Sequence, residues 1–428
     1  MRLDVYMGGR KAGILEQPSP QEYRFTYHKD ALPISLTMPV REAPYRSPYL
    51  HPIFQVSLPE GDLRALIESG LLKRVSTSGD LAILALVGAH LVGAVSVVPE
   101  GEPLPAAWDL PDVTRILHYG QAPDALLDLV RRHAAQAGVS GSYPKILAQQ
   151  SALAGTLAVG GWIVKIPAAG RPDIAVNEHY SLAAARYAGI ETAESHLSED
   201  GQILMVRRFD RHGGPSEGRP LAFEDMASLL GLPASRKFSG SVERIIKTIG
   251  IVCAGPARKE ALTAFFRQYA LAMVMRNGDA HLKNFGVLYT PGARDVRLAP
   301  CYDMVTMTAY APMDPNGSTR DIPALTWGGK KRWPARRDLE AVGVACGLSP
   351  AHIGEVLDAI VAGLTRAARD LRIYAAQHPA CAPTTQKILA LWRCGVAQSG
   401  YPDVVWEDAS DTHRPARRAG TSVSHSPQ

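Results

Sequence analysis

The sequence has few cysteines, and none of them has the spacing of metal ligands or redox pairs. Five cysteines are scattered along the 428 residues, and no C-x-x-C pair occurs among them. An odd number without such spacing indicates free thiols in a reducing compartment, so we expect a cytoplasmic protein. The sequence also contains no G-x-S-x-G elbow and no H-E-x-x-H motif. It therefore offers neither the nucleophile motif of an α/β-hydrolase nor the zinc motif of a metalloprotease.

Charged residues are missing from residues 81–98, a run with about the minimum length for a membrane span. Glycines, a histidine and a serine interrupt the run, which favours a buried helix from Leu81 followed by a buried strand over residues 91–98. The chain starts with an alternating segment, residues 1–6, that contains an aspartate. This segment predicts a strand and not a signal peptide.

The overall composition is that of an ordinary globular protein. Hydrophobic residues make up 46% of the chain and charged residues 20%. At 428 residues the chain exceeds one comfortable core, so we expect two or three subdomains. The formal net charge of +5 permits an acidic partner such as nucleic acid or ATP, but it does not require one.

The stretch from Asp279 to Asp303 carries the strongest chemical signal in the chain. Asp279 lies five residues before Asn284 in a short polar loop, and an apolar run over residues 285–289 follows. A Thr-Pro-Gly turn and a second alternating run, residues 296–300, predict a hairpin that ends at Asp303. The sequence thus predicts three oxygen-bearing side chains at one end of a hairpin.

Phosphoryl transfer needs this set of side chains. One aspartate accepts the proton of the attacking hydroxyl, while an asparagine and a second aspartate hold the magnesium that neutralises the phosphates. The spacing from Asp279 to Asn284 equals that of the protein-kinase catalytic loop. The alternative is an ordinary surface hairpin with polar ends, because this spacing also recurs by chance.

Three upstream features are consistent with a kinase. A β-rich run, residues 161–166, carries Lys165 between apolar positions, where a lysine is costly unless it meets an anion such as an ATP phosphate. Asn177 is predicted to cap a helix whose first turn holds Glu178, a partner for Lys165. The glycine-broken, hydroxyl-rich residues 138–145 would bring backbone amides to phosphate, although a simple turn is the alternative.

Seven motifs, in this order along the chain, resemble the HipA family of bacterial serine/threonine kinase toxins from two-gene toxin–antitoxin modules. They are Ser140–Lys145, Val164–Lys165, Asn177–Glu178, Arg208–Arg211, Glu224–Met226, Gly278–Phe285 and Tyr302–Asp303. The resemblance runs from the N-terminus to about residue 400.

The resemblance implies roles for individual residues and the cofactors ATP and Mg²⁺. Asp279 is the implied catalytic base, Asn284 and Asp303 the implied magnesium ligands, and Lys165 the implied phosphate-binding lysine. The main chain of residues 207–209 is the implied hinge that reads adenine. The other residues implied at the nucleotide site are Ser140, Gly141, Ser142, Tyr143, Pro144, Lys145, Glu178, Arg207, Arg208, Phe209, His281, Lys283 and Tyr302.

Two positions depart from the family pattern. The family commonly carries its autophosphorylated serine three residues before the loop glycine, and Gly138 occupies that position here. Ser140 and Ser142 remain as candidate autophosphorylation sites, and we favour Ser140. Arg207 stands where a glutamate is familiar, which is compatible with adenine recognition through the main chain.

The predicted fold class is α+β, a bilobal protein-kinase-like fold. The predicted units are a small β-rich N-terminal subdomain (1–110), a mixed-sheet N-lobe (111–215), a mainly helical C-lobe (216–410) and a disordered basic tail (411–428). Helical spacing over residues 261–275 predicts a helix that anchors the catalytic loop, and Ser349 is predicted to cap another helix.

The expected function is an ATP-dependent protein serine/threonine kinase that acts as the toxin of a toxin–antitoxin module. Phosphate would go to a protein hydroxyl, with an aminoacyl-tRNA synthetase as a candidate substrate, and to its own loop serine. One alternative is a small-molecule kinase of the aminoglycoside or choline type. Another is a catalytically idle antitoxin co-repressor, against which the retained Lys165, Asp279, Asn284 and Asp303 argue.

The family resemblance also implies partners. These are a HipB-like helix-turn-helix antitoxin and, through that complex, operator DNA; no membrane is implied. The basic cluster of residues 330–337 suggests an additional nucleic-acid contact, although exposed loops often have this composition.

Overall fold

A computed structural model describes residues 1–58, 60, 64, 79–104, 155–159, 162–166, 170–211, 220–312 and 319–406. The strands are β1 Arg2–Met7, β2 Arg10–Ser19, β3 Glu22–Tyr27, β4 Tyr45–Ser47, β5 Val95–Pro99, β6 Gly155–Val159, β7 Trp162–Ile166, β8 Ser195–Leu197, β9 Leu204–Arg207, β10 Ala222–Asp225, β11 Gly286–Thr290 and β12 Arg294–Leu298. The helices, numbered along the described residues, are α1 Pro52–Gln55, α2 Asp80–Val87, α3 Ile174–Tyr187, α4 Met226–Leu229, α5 Val242–Val252, α6 Pro256–Val274, α7 Arg336–Ala345, α8 Pro350–Gln377 and α9 Ala382–Gln398.

The N-terminal strands form an antiparallel sheet with the order β4-β3-β2-β1-β5. Alternation in β1 buries Leu3, Val5 and Met7 on one face of this sheet. The uncharged run of residues 81–98 forms α2, a short 3₁₀ turn and then β5, which confirms the predicted helix followed by a strand. No helix among the described residues is long and apolar enough to cross a membrane.

A second sheet, ordered β6-β7-β9-β8, contacts helix α3 through β8 and β9, and α3 in turn contacts the long helix α8. Helix α8 packs closely against α3 because Gly363 has no side chain. A Cβ at this position would lie 2.6 Å from the carbonyl oxygen of Ala184. The close packing of α8 fixes the helix that carries Glu178.

A third, small sheet, ordered β10-β11-β12, contacts helix α4 through β10 and helix α6 through β12. Strands β11 and β12 pair antiparallel, so the predicted hairpin is confirmed. Helix α6 covers the predicted helical segment and ends just before the catalytic loop. Ser349 caps α8, as predicted, and its hydroxyl accepts a hydrogen bond from the His352 amide at 3.3 Å. The mixture of sheets and segregated helices confirms the α+β class.

Candidate active site

Lys165, Glu178 and Asp303 meet in one ion cluster. Lys165 lies on β7, and its Nζ donates to Glu178 Oε1 at 2.5 Å and to Asp303 Oδ1. The side chains of Lys165 and Glu178 are largely buried, whereas that of Asp303 is 44% exposed. The lysine thus connects the β-sheet lobe with the end of the hairpin, and one carboxylate of the cluster faces outward.

Burial and charge shift the pKa values of all three groups. Burial disfavours the ammonium of Lys165, but the charges of Asp303 and Glu178 outweigh it and raise the pKa of Lys165. Burial raises the pKa of Glu178 to about 7, and the Lys165 charge offsets only part of that effect. For Asp303, the Lys165 charge outweighs burial, so its pKa is lowered. Asp303 is therefore the carboxylate of the pair that keeps its negative charge more readily.

Backbone contacts hold Asp303 in position opposite Lys165. Cys301, two residues before Asp303, donates its amide N–H to the carbonyl of Glu191 at 2.8 Å. Its own carbonyl accepts a hydrogen bond from the amide of Ala193 at 3.1 Å. Asp303 itself has a φ of 51°, in the left-handed region that non-glycine residues seldom adopt. The bend at Asp303 follows directly after a segment that is fixed to the sheet lobe.

The loop that carries Asp279 is held by hydrogen bonds within a few residues of it. The amide of Asp279 donates to Asn277 Oδ1 at 3.2 Å. Asn284 Oδ1 accepts from the amide of His281 at 2.9 Å, while the amide of Asn284 donates to the carbonyl of His281 at 3.0 Å. This reciprocal pair closes the turn between the candidate base and the candidate metal ligand.

Asp279 is half-buried, and burial raises the pKa of its carboxyl although the charges of Lys237 and Arg171 oppose the shift. Its carboxylate makes no hydrogen bond to a described residue. A Cβ at the neighbouring position 278 would collide with the carboxylate of Asp321, so a larger residue there would have to displace that side chain. Asp279 thus presents a proton acceptor that no described residue engages.

The donor set fits Mg²⁺. Asn284 and Asp303 offer an amide and a carboxylate oxygen, the hard ligands that this ion takes while it keeps several waters. His281 is buried and its Nδ1 has no partner among the described residues, which leaves a polar atom for a ligand. Burial lowers the pKa of His281 to about 4, so the ring is neutral near pH 7. Within the described ranges, no group of three His, Cys, Asp or Glu side chains could hold a metal by itself.

The predicted hinge combines one exposed and one buried arginine. Arg207 is exposed, and its main-chain amide already donates to the carbonyl of Glu194 at 2.7 Å. The guanidinium of Arg208 is buried, where it donates to Asp210 at 2.9 Å and to the Leu91 carbonyl at 2.8 Å. The Arg208 side chain therefore fastens the hinge to the N-terminal subdomain and is not available to a nucleotide.

Two aromatic residues of the predicted nucleotide site pack on each other. The rings of Phe209 and Tyr302 lie 5.3 Å apart, and the Tyr302 hydroxyl donates to the carbonyl of Lys283 at 2.8 Å. Tyr302 thereby joins the hinge, the catalytic loop and the segment that ends at Asp303.

The interpretation of Asn177 as a helix cap is wrong. Helix α3 begins three residues earlier, after Asp173 with a φ of 56°, so Asn177 lies inside the helix. It is buried, and its side chain accepts from the amide of Thr306 at 2.9 Å and donates to the carbonyl of Thr306 at 3.2 Å. Asn177 therefore fixes the chain just beyond Asp303 to the helix that carries Glu178.

Sequence reasoning missed two residues beside the site, Glu60 and Lys237. Glu60 contacts Lys237 and Lys283, which lie far from it in the sequence. Neither residue belongs to a motif with a chemical signature, so only the folded chain reveals them. The predicted phosphate loop (Ser140, Gly141, Ser142, Tyr143, Pro144 and Lys145) and the predicted tail lie outside the described residues.

Comparison with protein families gives two matches on this chain. The family model for the HipA-like C-terminal domain matches residues 137–368, and that for the HipA N-terminal domain matches residues 3–98. The first match covers more than half of the chain and includes Lys165, Asp279, Asn284 and Asp303.

Curated relatives cover most of the chain at modest identity. The candidate kinase Y4mE of Sinorhizobium fredii is 27% identical over 346 residues, which is 74% of this chain and 80% of the relative. The serine/threonine-protein kinase toxin HipA of Shewanella oneidensis is 26% identical over 343 residues, 72% of this chain and 76% of the relative.

A solved structure shares the fold. The Shewanella oneidensis HipA chain, in a complex with HipB and operator DNA, superposes with a TM-score of 0.63 at 18% identity. The match covers 94% of this chain and 100% of the solved one. The similarity confirms the kinase-like α+β architecture predicted from the sequence.

Proposed function

Because the chain belongs to the HipA family, we propose that it is an ATP- and Mg²⁺-dependent protein serine/threonine kinase that acts as the toxin of a toxin–antitoxin module. One observation carries the proposal. Lys165 bridges Glu178 and Asp303 across the two lobes, and Asp279 and Asn284 lie on the adjoining loop. An active kinase needs the lysine–glutamate pair and the metal-binding aspartate in place together.

The residues divide the chemistry as follows. Asp279 accepts the proton of the attacking hydroxyl. Its raised pKa supports this role, and so does a carboxylate that makes no hydrogen bond to the described part of the chain. The Lys165 ammonium binds nucleotide phosphate, and Glu178 orients it. Asn284 and Asp303 would hold Mg²⁺, which when bound neutralises phosphate charge. Asn177 keeps Asp303 in register with Lys165 through Thr306.

The direct test compares Asp279→Asn with the matched control Asp295→Asn. Asp295 lies on β12 of the same hairpin and is exposed. With Mg²⁺ and γ-labelled ATP, Asp279→Asn should lose about 10²-fold or more of the labelling of protein hydroxyls, because the base is absent. The control should label at the parental rate, and both variants should keep the parental melting temperature. Parental labelling by Asp279→Asn would show that this loop is not catalytic.

The same reaction tests autophosphorylation. We propose Ser140 as the modified residue and Ser142 as its substitute, because Gly138 occupies the position of the family's usual serine. A phosphoryl group beside the nucleotide would add about −1.5 to −2 charges, which would repel ATP phosphates and inhibit the kinase. Mass spectrometry after incubation with Mg²⁺ and ATP should find phosphate on Ser140. Phosphate on neither serine in an otherwise active protein would overturn this assignment.

A cognate antitoxin follows from the proposed role. The solved relative binds HipB and operator DNA, and we propose a small helix-turn-helix partner of the same kind for this chain. Co-expression with the adjacent gene product should relieve growth arrest, and the two proteins should copurify. This partner would be contradicted if growth arrest persisted during co-expression and the chain eluted without the adjacent gene product.

A further inference from the structure

A carboxylate from the N-terminal subdomain bridges two lysines next to the candidate base. Glu60 Oε1 lies 2.6 Å from Lys283 Nζ, and Glu60 Oε2 lies 2.8 Å from Lys237 Nζ. The Lys283 side chain is only 12% exposed and that of Lys237 23%, so both ammonium groups need a nearby acceptor. One carboxylate thus serves two cations.

The two lysines lie within the catalytic machinery. Lys283 directly precedes Asn284, and the carbonyl of Lys237 accepts a hydrogen bond from the amide of Leu282 at 3.2 Å. The ring of Phe238, the neighbour of Lys237, packs on His281 with centroids 5.1 Å apart. Lys237 is also the cation with the strongest effect on the pKa of Asp279. An oxyanion between the lysines would therefore lie close to the reacting groups.

The direct contacts favour a replaceable occupant. Among the described residues, Glu60 is the carboxylate in ion-pair contact with both ammonium groups, while Asp225, Asp279 and Asp303 act on them from farther away. The Gln55 carbonyl, 3.3 Å from Lys283 Nζ, adds only a neutral acceptor. Although burial opposes ionisation, the two lysines lower the pKa of Glu60 to about 2, so it is anionic at neutral pH. Its side chain is nonetheless 44% exposed, so another anion can approach from the same side. A third ammonium group lies near these two lysines. Lys331, from the basic cluster of residues 330–337, has its Nζ 3.4 Å from the Phe238 carbonyl.

We propose that Lys237 and Lys283 form an oxyanion-binding site for an incoming reactant, and that Glu60 occupies this site as an internal competitor. The proposal rests on the proposed kinase function and extends it. Two reactants carry such an oxyanion: the terminal phosphate of the nucleotide and an acidic side chain of the phosphoacceptor protein. Either oxyanion would displace Glu60 and accept the same charge-assisted hydrogen bonds from Lys237 and Lys283.

Binding measurements without turnover separate this proposal from the catalytic one. The full chain is compared with Glu60→Gln and with the control Glu42→Gln, an exposed glutamate in the same subdomain. One arm measures the affinity ratio of fluorescent ATP to fluorescent AMP. The other measures the affinity ratio of a serine peptide flanked by glutamates to its glutamine counterpart. Melting temperatures are recorded for every variant.

Removal of the internal competitor should raise one of the two ratios about threefold or more, and high salt should reduce the gain. The arm that responds identifies the reactant. Adding Lys237→Gln to Glu60→Gln should cancel the gain, whereas Glu42→Gln should match the parent. If Glu60→Gln leaves both ratios at parental values, the proposal is wrong. A lowered melting temperature in that case would identify Glu60 as a structural clamp.

Discussion

The catalytic loop and the N-terminal subdomain contribute to the same site in different ways. Residues 277–284 are held largely by hydrogen bonds between close neighbours in the sequence, such as those between His281 and Asn284. The N-terminal subdomain reaches the site through residues far apart in the chain. Ser35 contacts Glu224, which lies 189 residues away, and Glu60 contacts Lys283, 223 residues away. Local contacts leave a sequence motif, and distant ones do not.

The contrast extends to what each region does. The catalytic loop presents reactive groups, whereas the N-terminal subdomain holds the elements that present them. Gly93 of the subdomain donates its amide to Asp210 at 2.7 Å, immediately after the hinge. A subdomain with no recognisable chemistry therefore determines how the hinge and the loop lie. Three predictions test this division, from the largest expected effect to the smallest.

The largest effect should come from the metal ligands of the catalytic region. Asn284→Ala or Asp303→Ala should weaken the binding of Mg²⁺-ATP by about 10²-fold and change the binding of metal-free ATP far less, because a hard cation needs these oxygens. Calorimetric titrations with and without Mg²⁺ measure both affinities, with Asp295→Asn as the control. Equal losses in the two titrations would mean that these residues do not hold the metal.

The N-terminal contact should act on stability. Glu224 is a buried carboxylate that accepts from the hydroxyls of Ser35, Ser228 and Tyr289 and from the amide of Leu36 at 2.7 to 2.9 Å. Glu224→Ala leaves four donors without their acceptor and should lower the free energy of unfolding by about 2–3 kcal/mol. Chemical denaturation measures the change.

The exposed Glu355, on helix α8, provides a control for the Glu224 variant. Glu355→Ala should change the free energy of unfolding by less than about 0.5 kcal/mol. A Glu224→Ala variant as stable as this control would show that the two regions are not coupled through Glu224.

The smallest effect concerns pH and Glu178. Burial raises the pKa of this carboxyl from 4.5 to about 7 in the folded protein. The folded state therefore keeps a proton that the unfolded chain has released, and the stability from this group is lost as pH rises from about 4.5 to about 7. Relative to Glu178→Gln, the parental free energy of unfolding should fall by about 1 kcal/mol or more over that range. If the free energies of unfolding of the two proteins changed in parallel with pH, the raised pKa of Glu178 would be contradicted.

The sequence was informative where chemistry and spacing coincide. The interval from Asp279 to Asn284 and the hairpin up to Asp303 are continuous in the chain, so turn residues and alternation were sufficient to predict them. Lys165 stood out because a lysine between apolar positions needs an anionic partner. In the structure it has two, Glu178 and Asp303. The α+β class was predicted from the order of these motifs, from the family resemblance that they carry and from the coarse pattern of strands and helices.

Other features could not be predicted because they depend on tertiary contacts. Asn177 is a residue type that often caps helices, but the helix starts earlier, after the left-handed residue Asp173. Asn177 therefore lies inside the helix, where its side chain binds Thr306. Arg208 lies within the predicted hinge, yet its side chain is buried against Leu91 and Asp210. Glu60 has no local signal, and its role depends on two lysines that only the fold brings to it.

The central claim, protein phosphorylation that depends on Asp279, is tested most directly by phosphoproteomics of cells that express the chain. Cells with the parental protein, Asp279→Asn and Asp295→Asn are compared at equal expression. We predict new phosphoserine or phosphothreonine sites on at least one host protein with the parental chain and with Asp295→Asn, and none of these sites with Asp279→Asn. Identical phosphoproteomes for the parental protein and Asp279→Asn would contradict the account.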